Sequence, residues 1–290
     1  MLKIAVCIKQ VPDPLSVEID PLSGAINSER LAYIINPPDL ESVELALRWR
    51  DKFGGEVHVV SAGPERVEKA LRDCLALGVD SVTRLEPART MESSPSQTAR
   101  ALAEVIKPLG VDLVLCGARS ADNGSGQVPA MLAERLDLAQ VTSVVAATLE
   151  IEGENGPALQ VERKLERGKR ERLRVSLPAL LALEPGMVEP RYAALPAYMA
   201  AQQATIPVVR PANQTRREAP VRLVEIRPPR PRPHQIFIPD PDLPAAVRIQ
   251  AILSGGTDST AAKKGSPVEG SPEEQADRII DFLEKRGFLD

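Results

Sequence analysis

The 290-residue sequence is poor in aromatic and metal-ligating side chains: one Trp, three Tyr, four Phe, three Cys and two His. Each shortage closes a class of function. Cys7, Cys74 and Cys116 show no Cys-x-x-Cys spacing, and only His58 and His234 stand beside them, so neither a zinc site nor a disulfide framework is expected. No apolar run approaches the roughly 18 residues of a membrane-spanning helix, so no membrane insertion is expected. The opening Met1-Leu2-Lys3-Ile4-Ala5-Val6-Cys7-Ile8 is too short before Lys9 to read as a secretory leader. The formal net charge is −4, from 36 basic and 40 acidic residues, which asks for no nucleic acid and no anionic surface. No carboxylate pair, Ser/His/Asp set or nucleophile elbow stands out. His58 falls in a strand-like run and His234 in a proline-rich one, so neither is placed as a general base. The expectation is a soluble, reduced, cytoplasmic protein that is not an enzyme.

What is plentiful is aliphatic side chain in a repeating rhythm. Short β-type runs occur at residues 3–8, 56–61, 81–85 and 112–116. Amphipathic helical stretches lie between and after them, at residues 39–52, 67–76, 96–109 and 129–136. Strand and helix in alternation mean βαβ units and a parallel sheet. Near residue 140 the texture changes. Residues 141–150, 158–165 and 171–177 read as an antiparallel meander, and 178–183 as one more short strand. Proline is frequent from 207 to 244, which excludes helix or central strand and suggests an extended arm. Residues 254–270 are rich in Gly, Ser, Thr and Lys. A helix follows at 272–285, with Ser271 as N-cap and acids in its first turn. The expected architecture is a doubly wound, mostly parallel, Rossmann-like α/β sheet with an antiparallel extension and a C-terminal arm plus helix. Residues 1–206 would form the nucleotide-binding domain, and 207–290 the arm, linker and helix packing on a partner.

In such a sheet ligands bind beyond the carboxyl ends of the strands. Three strand ends are polar or glycine-containing: Cys7-Ile8-Lys9-Gln10-Val11-Pro12, Ser61-Ala62-Gly63-Pro64, and the long loop from Gly117 to Val128 that leads into a helix. In that loop Gly124 and Gly126 allow tight turning and close approach, Asn123, Ser125 and Gln127 supply polar groups, and the helix start offers free N–H groups to a phosphate. The bland alternative is a helix-capping turn. Asn36-Pro37-Pro38-Asp39 reads either as an adenine-side wall or as simple N-capping by Asp39. Arg119 would pair with a phosphate or with a surface acid. The cysteines sit inside strand or helix patterns, as buried structural thiols do.

These motifs together resemble electron-transfer flavoprotein β subunits over nearly all of residues 1–235. The most specific match is Val188-Glu189-Pro190-Arg191-Tyr192-Ala193-Ala194-Leu195-Pro196. The resemblance implies a heterodimer in which an α subunit holds most of the redox-active FAD and the β subunit binds AMP structurally. It implies docking of flavin dehydrogenases, such as acyl-CoA dehydrogenases, and delivery of electrons to a quinone oxidoreductase. Carried over residue by residue, AMP would meet Cys7, Asn36, Pro37, Pro38, Asp39, Ala62, Gly117, Asp122, Asn123, Gly124, Ser125, Gly126, Gln127 and Val128. Leu195 would be the docking anchor, flanked by Arg191, Tyr192, Pro196, Tyr198 and Met199; the plain alternative is that Leu195 covers the start of a short helix.

Two departures and two rivals qualify this implication. A bifurcating branch binds a second FAD in place of AMP, with a loop reading Asp-Gly-Asp-Thr-Ala-Gln-Val-Gly-Pro. Here the loop runs Asp122-Asn123-Gly124-Ser125-Gly126-Gln127-Val128-Pro129-Ala130, which favours AMP. Residues 236–290 also exceed the family's usual short arm. One rival is a pyrophosphatase-type phosphate loop at Ser254-Gly255-Gly256-Thr257-Asp258-Ser259, which is misplaced near the C-terminus and followed by Gly265 and Pro267. The other is a standalone adenine-nucleotide sensor of universal-stress type, which would not need the segment around Leu195.

Overall fold

In the computed structural model the described residues are 1–20, 26–27, 30–86, 94–151, 156–211, 239, 243–253 and 270–285. They fall into two units, Met1–Glu225 and Ile226–Asp290. The first opens with β1 (Leu2–Ile8), β2 (Gln10–Pro12), β3 (Tyr33–Ile35), α1 (Pro37–Phe53), β4 (Gly55–Ala62), α2 (Val67–Leu77), β5 (Ser81–Leu85), α3 (Pro95–Ile106), β6 (Leu113–Gly117) and α4 (Val128–Leu136). It continues through β7 (Ala139–Glu150), β8 (Ala158–Lys164), β9 (Arg170–Ser176), β10 (Ala179–Leu183), α5 (Leu195–Gln202) and β11 (Val208–Val209). The second unit holds α6 (Ala245–Leu253) and α7 (Pro272–Lys285). No helix among the described residues is long and apolar enough to cross a membrane.

Among the described residues one sheet runs in the order β11-β5-β4-β1-β6-β10-β7-β8-β9. Pairing is parallel from β11 to β7, and antiparallel for β7 with β8 and β8 with β9. This is the expected doubly wound sheet with an antiparallel extension. Alternation along β1 divides its side chains between two cores. Leu2, Ile4, Val6 and Ile8 pack with Val43 and Leu47 of α1 and Leu71 of α2. Ala5 and Cys7 pack with Leu102 and Ile106 of α3 and Leu132 of α4. The chain skips a place after β6, builds the β7–β9 meander, and returns to fill the gap with β10. That strand is Ala-Leu-Leu-Ala-Leu and buried throughout, as a central parallel strand must be.

The local signals account for most boundaries, and the differences have physical reasons. α3 starts at Pro95 rather than residue 96, because Ser94 and Gln97 form a reciprocal capping box. Its last turn, Lys107–Leu109, tightens into a 3-10 helix where Pro108 lacks the N–H that an α-turn would use. Ser271 caps α7 as expected, accepting from Glu274 N–H while the Glu274 carboxylate accepts from Ser271 N–H. The β2–β3 antiparallel pair and α6 were not expected; three-residue strands are too short to show periodicity. The expected arm begins as an edge strand, with Arg84 N–H donating to Pro207 O and Glu86 N–H to Val209 O. Residues 212–238, with His234, and residues 254–269, with the Ser254–Ser259 motif, lie outside the described residues.

Leu181 of β10 is fully buried between β6 and β7. Leu181→Ala is expected to cost about 2–5 kcal/mol in urea unfolding, against at most ~0.5 kcal/mol for Leu165→Ala at an exposed turn. Equal midpoints would contradict a central position for β10.

Candidate functional site

Strand order runs outward from β1 through β4 in one direction and from β6 in the other. Such a reversal opens a crevice at the carboxyl ends of the two strands. Cys7 and Cys116 face each other in register just below it. The first turn of α1 occupies this point. Asp39, 4% exposed, accepts from the backbone N–H of Lys9 at 2.7 Å and of Gly117 at 2.8 Å, tying β1 to β6. Asn36 donates its side-chain amide to Arg119 O at 3.1 Å and accepts from Ala121 N–H at 3.0 Å, while its backbone N–H meets Lys9 O. A Cβ on Gly117 would strike Asp39 Oδ1 and come within 2.9 Å of Pro38 Cγ, so only glycine admits this contact. The N-capping role considered for Asp39 is therefore wrong. Asn36 holds the cap position without a side-chain cap bond, and Asp39 spends both oxygens on strand ends.

Burial pushes the Asp39 carboxyl up to about 7, outweighing the hydrogen bonds from Lys9, Asn36 and Gly117 that lower it. A carboxyl near 7 in a crevice resembles a general base. Its bonds to two backbone donors leave it no reach to a substrate. Cys7 is likewise unreactive: burial, with the Asp39 charge, raises its thiol to about 12. All three cysteines are buried and free, as expected of structural thiols.

The loop beyond β6 forms the other wall. Lys9 Nζ bonds the Asp122 carboxylate at 2.5 and 2.7 Å and Ser120 Oγ at 3.5 Å. Burial disfavours the Asp122 charge, but the hydrogen bonds, led by Lys9, hold its carboxyl below the ordinary range. Asp122 also accepts from Asn123 N–H, and Ser120 Oγ donates to Asn123 Oδ1. Gly126 turns the chain at φ +62°, where a Cβ would be strained and 3.2 Å from Ala118 O. α4 starts next. Gln127 sits at its N-cap position without a side-chain cap bond, so no side chain claims the leading N–H groups. Arg119 is exposed beside them, with no carboxylate ion pair among the described residues. Uncapped N–H groups, a glycine turn and a nearby guanidinium suit a phosphate.

The structure thus gathers Cys7, Asn36, Pro38, Asp39 and Gly117 into one cluster, with Asp122 joined to it through Lys9. Asn123, Gly124, Ser125, Gly126, Gln127 and Val128 follow along the loop to α4. Pro37 is exposed, and Ala62 ends β4 beside β1. Lys9, Ser120 and Ala121 were missed. Lys9 had a readable signal, being the first residue after a crevice strand. A separate cavity of about 300 Å3 lies at the opposite, amino-terminal ends of β1, β4 and β5, beside Lys3, Glu56, His58 and Ser81. The His58 ring there is engaged by the Ser81 and Thr83 hydroxyls.

The profile of the electron transfer flavoprotein domain matches residues 23–214. The electron transfer flavoprotein subunit beta of Thermoanaerobacterium thermosaccharolyticum is 41% identical over 191 residues, 66% of this chain and 71% of the relative. The human electron transfer flavoprotein subunit beta is 34% identical, with 73% and 82% covered. The caffeyl-CoA reductase-Etf complex subunit CarD of Acetobacterium woodii is 36% identical, with 71% and 78% covered.

The chain belongs to the electron transfer flavoprotein family.

In this member of the family, residues 186–191 lie along α1. Glu41 accepts from the N–H groups of Gly186, Met187 and Val188 at 2.7 to 3.3 Å. Arg48 donates to Glu189 O at 2.9 Å. Arg191 turns inward, its backbone N–H and Nε on Glu44 and its Nη1 on Asp51 at 3.0 Å. Of the residues expected to meet a partner, Arg191 is therefore engaged within the chain. Tyr192, Leu195 and Met199 are 95%, 70% and 60% exposed, and Tyr198 and Pro196 are exposed with them. α5 buries only Ala201 and packs on α2, so Leu195 is not a core residue.

The Asp39 carboxyl gives a pH test. Its folded value lies above the ordinary ~3.9, so its contribution is full below ~4 and is lost as pH rises through about 7. From pH ~4 to about 7 stability should fall by up to ~1.4 kcal/mol per pH unit from this group, and the fall should level off above that range. Asp39→Asn abolishes that slope, yet sets an amide against a backbone N–H at ~1–3 kcal/mol. Urea unfolding at pH ~4.5, ~5.5 and ~7 should show a deficit that narrows with pH; an unaltered slope would exclude Asp39 as its source.

Proposed function

We propose that this chain is the β subunit of a heterodimeric electron transfer flavoprotein and performs no substrate chemistry itself. It holds AMP structurally in the crevice, pairs with an α subunit that binds most of the FAD, and docks flavin dehydrogenases such as acyl-CoA dehydrogenases. Electrons then pass to a quinone oxidoreductase, in a cytoplasmic setting. FAD supplies the redox chemistry; residues of this chain bind, orient and dock. The observation that carries this reading is the crevice itself, which presents an uncapped helix start and a glycine turn while its titratable groups are spent on its own chain. Asn123 to Val128 hold the phosphate, and Cys7 (through its backbone), Asn36 to Asp39, Ala62 and Gly117 form the base-side walls. In the second unit α7 exposes Ile279, Ile280 and Phe282, which we assign to packing on the α subunit.

Denaturing the purified heterodimer and chromatographing the released nucleotides tests the ligand. One AMP and one FAD per heterodimer are expected; two FAD without AMP would replace this reading by the bifurcating one. Gly126→Val should lose AMP, because the side chain is strained at positive φ and crowds Ala118 O. AMP retained at full stoichiometry would remove the loop from the site.

The docking role rests on Leu195 and its exposed neighbours Tyr192 and Met199, an aliphatic anchor with aromatic and thioether company. Leu195→Ala is expected to raise the apparent KM for the dehydrogenase roughly thirtyfold, the equivalent of ~2 kcal/mol. FAD content, AMP content and reduction by dithionite should not change. A lowered melting temperature with an unchanged KM per folded molecule would sink the docking assignment.

A further inference from the structure

Helix α1 serves both regions described above. Asn36 and Asp39, at its start, hold the ends of β1 and β6 and the 119–121 backbone. Glu41, Glu44, Arg48 and Asp51 follow at spacings of three, four and three, which sets them along one helix face. Every one of these four side chains bonds residues 186–191. The Glu41 carboxylate takes three successive backbone N–H groups, from residues that belong to no helix or strand. Glu44 has a side chain only 5% exposed and is bridged by Arg48 and Arg191. The exposed Tyr192 and Leu195 come directly after this clamp.

We propose that Glu41 and Glu44 are positioning residues for docking, and that α1 couples the crevice to the docking segment so that nucleotide and dehydrogenase favour each other's binding. This rests on the function proposed above. A segment without regular structure loses conformational freedom when a partner engages it, and a carboxylate clamp removes that cost before binding. The clamp stays in register only while α1 does, and the start of α1 is fixed by the same backbone that walls the crevice. Emptying the crevice frees the 118–127 loop and with it the anchorage of Asn36. Linkage then requires the reverse effect, with a docked partner retaining the nucleotide.

The test uses the intact heterodimer and three variants. Glu41→Gln keeps the side-chain size but turns an amide towards one of the three N–H donors. Asp51→Asn, at a half-exposed position, is the milder second variant should Glu41→Gln fold poorly. Both should speed amide hydrogen exchange of residues 186–192 several-fold and raise dehydrogenase KM about tenfold at unchanged kcat and FAD content. Gly126→Val, once shown to have lost AMP, should speed exchange at 186–192 as well, and saturating dehydrogenase should slow AMP release from the parent about fivefold or more. If Gly126→Val loses AMP while exchange at 186–192 is unaltered, the coupling is wrong although the nucleotide site stands. If it keeps AMP, the nucleotide site is wrong. Faster exchange in Glu41→Gln or Asp51→Asn with unchanged KM would overturn the positioning role.

Discussion

One buried carboxylate holds the centre of this molecule together. Asp39 reaches from the first turn of α1 to the last backbone N–H groups of β1 and β6, the two strands at which sheet order reverses. Those N–H groups have no neighbouring strand to continue their ladder, and buried donors left unpaired are costly. Supplying their acceptor from a helix draws α1 tight against the strand ends, and this requires glycine at 117. The crevice therefore owes its floor to α1, while its open side keeps the uncapped start of α4.

The same helix shows how environment sets the behaviour of a carboxyl. Burial of Asp39 outweighs its hydrogen bonds to backbone and amide donors and the smaller pull of the Lys9 charge, so its own charge is disfavoured. Glu44, one turn further on, also suffers from burial, but the hydrogen bonds from Arg191 and Arg48 outweigh it and hold the carboxyl below its ordinary value. The first contributes stability at low pH and loses it as pH rises. The second contributes above its unfolded value and loses it on acidification. Helix α1 is thus fastened to the strand ends by a group that tolerates neutrality and to residues 186–191 by one that needs its charge.

Exposure divides the 186–199 region in two. Its first half is bound to α1 through Gly186, Met187, Val188, Glu189 and Arg191, and its second half places Tyr192, Leu195 and Met199 in solvent. Large apolar side chains exposed together on a firmly held backbone are what a docking surface requires. Arg191, which the sequence places among them, faces the opposite way because two carboxylates two turns apart on one face of α1 hold its guanidinium.

The sequence by itself determined the α/β class, the strands β1 and β4 to β10, the helices other than α6, and the strand ends at which a crevice could open. Period-2 and period-3.6 hydrophobic patterns, Ser271 as a cap, and the glycine-rich run after β6 are local signals carried by neighbouring residues. The motifs around Arg191 and Leu195 were enough to indicate the family. Tertiary structure alone decided which polar groups spend themselves on one another. Asp39 with Lys9 and Gly117, Lys9 with Asp122, and Glu41 with the N–H groups of residues 186–188 join positions 30 to 147 residues apart. It also decided that β10 fills the gap between β6 and β7. Local pattern reports which face of an element is apolar; it does not report which distant backbone donor a carboxylate will meet, because that depends on how the strand order brings chain ends together.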